Sequence, residues 1–290
     1  LDSDEGETIC TSTDGGSFEC RGFPYYGQTT PPPGSFTQVV ASPYSTCAVD
    51  TSGYLECWGD DYYGQATPPA GTFTKISASY SRACGITTTG SIECWGSNTD
   101  VHAGQFLDLV VAGPICAISA DDASITCWGD NIYGQLDAPP GQFVDVSSGW
   151  MHSCAIDEDG VLHCWGPDDC GETIPPAGTF TQVSLSNHYS CALATDGSIE
   201  CWGLSPDCWY YADYGQATPP AGTFIDLSTG EDHACAAATD GSVICWGSDG
   251  FGKSTAPTGT FTQVSAGGSH TCAVDSDEFI VCWGATMPEL

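Results

Sequence analysis

Positive charge is almost missing from this chain. Its 290 residues include 4 lysines and arginines against 37 aspartates and glutamates, a formal net charge of −33. Phosphate backbones are held by basic surfaces, so the composition excludes nucleic acid as an expected partner. An anionic membrane surface is excluded on the same ground. Such a field favours solubility, cations and basic partners. Long apolar runs are missing too. The most apolar stretch, LVVAGPICAI from Leu109 to Ile118, falls short of the ~18 residues a membrane helix needs, and Gly113-Pro114 breaks it. The opening LDSDEGETIC lacks the character of a signal peptide, so in a secreted protein Leu1 would follow a processing site. Asn98, Asn131 and Asn187 all lack the Asn-x-Ser/Thr context.

Cysteine is abundant instead, with 18 copies. A chain of this length can bury a core unaided, so the cysteines do not compensate for small size. They fall into pairs: Cys10/Cys20, Cys47/Cys57, Cys84/Cys94, Cys116/Cys127, Cys154/Cys164, Cys191/Cys201, Cys235/Cys245 and Cys272/Cys282. First cysteines recur at steps of 37, 37, 32, 38, 37, 44 and 37, a period that signals a repeat architecture. Within a unit, FTKIS, ACGIT and SIECWG alternate apolar and polar residues around Gly, Pro and Thr turns, the pattern of short half-buried strands in an all-β fold. Helical spacing with caps is nowhere evident.

A hairpin turning at residues 51–53 sets Val49 against Leu55, Ala48 against Glu56 and Cys47 against Cys57. Opposed β-carbons lie ~4.5–5.5 Å apart, closest in pairs that share no hydrogen bonds, and a disulfide suits that class. Each hairpin is therefore expected to carry its own staple. The loop model gives up to ~2.8 kcal/mol apiece. Zinc is the rival reading, but closely spaced Cys-x2–4-Cys clusters are absent. Disulfides in this number place the chain in an oxidising compartment: extracellular, periplasmic or on the cell surface. Cys170 and Cys208 remain, in the loops after CWG of consecutive repeats, and a Cys170–Cys208 bridge is expected between them.

The pattern in FVDVSSGWMHSCAIDEDGVLHCWG (Phe143 to Gly166) and FTQVSAGGSHTCAVDSDEFIVCWG (Phe261 to Gly284) resembles the regulator of chromosome condensation repeat, in its secreted, cysteine-bearing branch. It is also similar to the propeller-type β-lactamase inhibitor. The resemblance implies one β-propeller domain over 1–290, usually of seven blades. Here the hairpins number eight, while F-x-x-[VIL] strands begin at Phe36, Phe73, Phe106, Phe143, Phe180, Phe224 and Phe261. Eight blades are the favoured count and seven the alternative, with residues 1–24 an abbreviated first hairpin lacking its inner strand. That hairpin has Arg21 where the others have tryptophan. The nucleotide exchange activity of the chromosomal member does not carry over to an acidic, cysteine-rich chain.

The recurrent tryptophans read as core, Gly-Gln as a turn with a hydrogen-bonding side chain, and His152, His233 and His270 as loop buttresses. Candidate contacts lie where the repeats differ. Before the first cysteines stand Tyr44, Tyr80, Trp150, His188, Tyr189 and Asp232; after CWG stand Tyr62, Tyr63, Trp209 and Tyr210. Aromatics with carboxylates and little lysine resemble a protein-binding surface. Catalysis has no distinctive motif, and no cofactor is expected. Calcium is the one ion the sequence leaves open, at Asp157–Gly160 and Asp275–Asp277, without the full spacing of a calcium loop. The reading is a secreted, non-enzymatic binding propeller whose partner is a protein or surface glycan. The alternative is a structural subunit of an extracellular filament or surface layer, joined to copies of itself through an unpaired sheet edge near the first hairpin.

Overall fold

Most repeats fold as a small antiparallel sheet whose three strands follow chain order; the first sheet has two strands and one has four. The computed structural model describes residues 9–12, 18–21, 32, 36–41, 45–97, 99–204, 212–266, 270–275 and 280–284. These residues form eight sheets, and among them no helix is long and apolar enough to cross a membrane.

The chain divides into two compact units. The first spans 1–111, with 119–121 and 286–290. It holds the two-stranded sheet Ile9–Ser12/Phe18–Arg21 and the sheet Phe36–Ala41, Ser45–Asp50, Leu55–Gly59. Next come Phe73–Ser79, Arg82–Thr87 and Ile92–Gly96, joined by a short fourth strand, Val101–His102, and then the strand Phe106–Val111. The second unit contains the hairpin that pairs Cys116 with Cys127, followed by four sheets whose first strands are Phe143–Ser148, Phe180–Leu185, Phe224–Thr229 and Phe261–Ala266.

Register follows the period-two logic. Cys47 pairs with Cys57, Ala48 with Glu56 and Val49 with Leu55. The same cysteine pairing recurs between Cys84 and Cys94, Cys154 and Cys164, Cys191 and Cys201, and Cys235 and Cys245. Disulfides join these five pairs and Cys116/Cys127, with Cα atoms 3.9–4.1 Å apart. That spacing is the close, non-hydrogen-bonded class of antiparallel position. The two halves of a staple differ in burial. Cys84, Cys154, Cys191 and Cys235 on the second strands are fully buried, whereas Cys164, Cys201 and Cys245 on the third strands are only half-buried, and Cys94 is buried but not fully. The cause is position: the second strand is flanked by a strand on each side and the third is the outer one, except in the sheet of Cys94, where Val101–His102 adds a fourth strand outside the third. Cys10 opposes Cys20 and Cys272 opposes Cys282 in backbone register. Cys170 is also disulfide-bonded, while Cys208, its expected partner, lies outside the described residues.

The hairpin turns show why Asp or Thr with Gly recurs there. Asp50 Oδ1 accepts the N–H groups of Ser52 (2.7 Å) and Tyr54 (2.8 Å), and Gly53 takes φ 89°, which favours glycine. The turn then serves the next repeat: Gly53 O accepts the N–H of Phe73, Gly160 O that of Phe180 and Gly197 O that of Phe224, at 2.7–2.8 Å.

Burial departs from the expected alternation in one respect. The first strands alternate as read, but the second strands are buried on both faces, as in Tyr189–Leu193 and His233–Ala238. The reason is stacking of one sheet on the next, which leaves the second strand no wet face. Core layers therefore form between consecutive sheets. Cys47 and Val49 of one sheet pack with Ile76, Ala83 and Trp95 of the next; Cys154 and Ile156 pack with Phe180, Val183 and Trp202. Each staple is thus a core element as well as a covalent tie.

Candidate functional site

Within a repeat, the loop from first to second strand and the segment after CWG lie at the same end of the sheet. Ser97 N–H donates to Ser81 O at 2.8 Å, and Ser248 N–H to Asp232 O at 2.9 Å. The CWG glycine makes this approach possible. Gly247 has φ 93°, and a Cβ there would stand 2.7 Å from Asp232 O.

The segments after CWG are anchored by the Gly-Gln motif. Gln65, Gln135 and Gln216 are buried, and each side-chain carbonyl accepts the N–H of the tyrosine two residues earlier, Tyr63, Tyr133 and Tyr214, at 2.7–2.9 Å. Their backbone carbonyls accept the indole N–H of Trp95, Trp165 and Trp246 at 2.8–3.0 Å. The tryptophans are core, and their polar ends fix the loops. Glu172 takes the same slot: its carboxylate accepts the Cys170 N–H at 2.7 Å and its carbonyl the Trp202 indole N–H at 2.7 Å. Burial pushes the Glu172 carboxyl above the usual range. Lys253 fills the slot in the next-to-last loop, buried, with its ammonium paired to Asp232.

The loops before the first cysteines hold two kinds of residue. His152 and His233 are fully buried, and their Nε2 atoms bond the hydroxyls of Ser190 (2.8 Å) and Thr271 (2.7 Å) in the following repeat. Tyr189, expected as a partner contact, belongs with them. It is 0% exposed, and its hydroxyl donates to Gly230 O (2.9 Å) and His233 O (2.6 Å). It stands two residues before Cys191, the slot of His152 and His233, and here it buttresses the next loop instead of facing solvent. Burial, with Asp232 nearby, pushes its phenol up. Asp232 is half-buried and held by Lys253, and His188 is half-buried. By contrast, Tyr80 (50%) and Trp150 (54%) are exposed, as are Tyr62 (82%) and Tyr63 (57%). Tyr44, Trp209 and Tyr210 lie outside the described residues.

Ile132 and Tyr133, exposed at this end, were not singled out from sequence, and Tyr214 is exposed as well. The recurring Tyr-Gly-Gln was their signal, because a buried glutamine fixes the tyrosine beside it on the outside. A second missed feature is a polar belt on the first strands. Gln38 brackets Ile76 with 2.9 and 3.0 Å bonds, Gln182 brackets Leu227 at 3.1 Å, and Asp226 Oδ2 accepts the Val264 N–H at 2.8 Å. Burial raises the Asp226 carboxyl. The belt joins backbones of successive first strands and offers no free chemistry. At the first calcium candidate, Asp157 Oδ1 accepts the Asp159 and Val161 N–H groups and Oδ2 bonds His163 Nε2 at 2.8 Å, which is turn chemistry, while residues 276 and 277 of the second lie outside the described residues. Among the described residues, no group of three His, Cys, Asp or Glu converges for a metal.

Buried His152 makes stability pH-dependent. Burial, with His188 adding, holds His152 down to about 4, against 6.5 unperturbed. The unfolded chain therefore binds a proton that the folded chain refuses. Stability is full above pH ~6.5 and falls as pH drops toward ~4, by about 3 kcal/mol from this group. Half-buried His188, also lowered to about 4, acts in the same direction. Glu172 and Asp226, raised by burial, act oppositely. Thermal melts across this window should fall for the wild type and flatten for His152→Gln; equal slopes would remove His152 as the cause.

The regulator of chromosome condensation (RCC1) repeat matches at residues 36–65, 73–100, 143–172 and 224–253. No curated protein matches the chain in sequence. Among solved structures, the chain is similar to the CRINKLY WD40 ectodomain of the Arabidopsis thaliana receptor kinase ACR4, with TM-score 0.66 and 23% identity over 88% of this chain and 98% of that one. The ectodomain of the Physcomitrella patens receptor kinase CR4 gives 0.67 and 23%, over 89% of this chain and 76% of that one. Saccharomyces cerevisiae Prp20p, studied for its binding to Gsp1p and histones, gives 0.63 and 15%, over 100% and 93%. Identities this low establish the fold alone, a β-propeller of these repeats.

Proposed function

We propose that this chain, a β-propeller built from regulator of chromosome condensation repeats, is an extracellular, non-enzymatic module that holds a protein partner on the loops flanking its first cysteines. One observation carries the reading. In the sheet that begins at Phe143, the His152 slot is filled and buried, yet Trp150, two residues away, is left 54% exposed. A rigid buttress beneath an exposed tryptophan presents a large contact area with little entropy to lose on binding. The dense disulfides support an oxidising compartment. Two of the similar structures are receptor ectodomains, which agrees with that placement.

The test compares two ends of one sheet. A photo-crosslinking residue at position 150 should capture the partner; the same residue at position 161, where Val161 is exposed at the hairpin turn, should not. Trp150→Ala should weaken partner binding about 30-fold, the effect of a ~2 kcal/mol anchor, and change stability by no more than ~0.5 kcal/mol. Capture at 161 alone, or unchanged affinity in the alanine variant, would overturn the reading.

A further inference from the structure

We infer that the Asp60–Gln65 loop is a cation-receiving site for an arginine side chain of a basic polypeptide, a reading that rests on the partner-binding role above and names the chemistry of the partner. Tyr62 and Tyr63 are exposed, with ring centroids 4.9 Å apart and planes at 82°. The two rings meet edge to face, a corner whose remaining ring faces stand open to solvent. The negative faces of such rings attract guanidinium and ammonium groups within about 6 Å.

The corner is held rigid from beneath. Buried Gln65 accepts the Tyr63 N–H at 2.8 Å through its side chain, donates to Asp60 Oδ2 at 2.6 Å, and is tied by its carbonyl to the Trp95 indole. Asp61 accepts the Ala66 N–H at 2.8 Å and the Thr67 hydroxyl at 2.7 Å. The backbone that carries the rings is therefore fixed, and two carboxylates stand in the sequence immediately before them. Among the described residues, no lysine, arginine or histidine forms an ion pair with Asp60 or Asp61. Both lysines of the chain face other aspartates, Lys75 with Asp108 and Lys253 with Asp232. A protein of net charge −33 thus keeps its lysines engaged elsewhere and shows a carboxylate-flanked aromatic corner to solvent. Charge complementarity selects a cationic occupant over a neutral one.

Fluorescence anisotropy with a labelled oligoarginine peptide tests this on the intact, disulfide-bonded protein, with the citrulline counterpart as neutral control. The arginine peptide should bind, weaken as salt rises, and lose about 5- to 30-fold in affinity to Tyr62→Ala/Tyr63→Ala. Tyr62→Phe/Tyr63→Phe, which keeps both ring faces, should bind like the wild type. No binding of the arginine peptide overturns the inference. So does equal binding of the citrulline peptide, or unchanged affinity in the alanine pair, which would assign binding to net charge alone. A neutral oligosaccharide bound in place of the arginine peptide would also overturn it. The crosslinking test at position 150 is indifferent to these outcomes, so failure here leaves the broader binding role standing and failure there leaves this site to be judged on its own.

Discussion

Reduction of the disulfides is expected to unfold this chain near room temperature. Each staple closes a short loop across one hairpin, with sequence separations of 10 or 11 residues. Chain-entropy reasoning assigns up to ~2.8 kcal/mol to each. Six such contributions together exceed the roughly 5–15 kcal/mol that typically separates a folded domain from its unfolded ensemble. Half that effect would still consume most of the margin. The repeats otherwise depend on thin layers between neighbouring sheets that include cysteine pairs, as Cys154 and Cys164 pack beside Ile156 and Trp202. Circular dichroism and denaturant titration, with and without a phosphine reductant, would measure the effect. The oxidised chain should unfold at high denaturant, and the fully reduced chain should lose its cooperative transition. Matching midpoints would mean that packing alone holds the sheets and that the staples serve another purpose.

The hairpins were legible in the sequence because everything that fixes them is local. A period of two and a turn of three residues determine that Cys47 opposes Cys57, and no distant contact can alter this without flipping every side chain. The first strands were legible for the same reason, from Phe36 through Phe261. Relations between repeats were harder to read. The Trp95–Gln65 bond spans 30 residues, the His152–Ser190 bond 38 and the Ser184–Thr229 bond 45. They depend on which sheets stack, so a single repeat contains no trace of them. Comparing slots across repeats could have found some. Tyr189 occupies a histidine slot, and Glu172 and Lys253 occupy a glutamine slot. Such exchanges mark positions where the scaffold keeps a role and changes its chemistry. The Lys253–Asp232 pair shows the consequence: a carboxylate read from sequence as a partner contact is held by the chain's own lysine.

Tyr189→Ala carries the second large expectation. The ring is fully buried in the layer with Leu193, Phe224 and Leu227, and its hydroxyl reaches two carbonyls of the next loop. Removing a buried aromatic ring costs about 3–5 kcal/mol through lost burial and the cavity left behind. Gly230 O and His233 O would lose their phenolic donor, although His233 O keeps the Gly230 N–H at 2.8 Å. The midpoint of thermal unfolding should fall by about 6–20 °C. Tyr189→Phe keeps the ring and removes only the hydroxyl, so its cost should be about 1–2 kcal/mol. Trp150→Ala, though it deletes a larger side chain, should barely move the same midpoint, because more than half of that indole already faces water. The three variants separate scaffold from contact surface by one measurement. If Tyr189→Ala melted with the wild type while losing the partner, the buried buttress would be wrong and Tyr189 would belong on the binding loops after all.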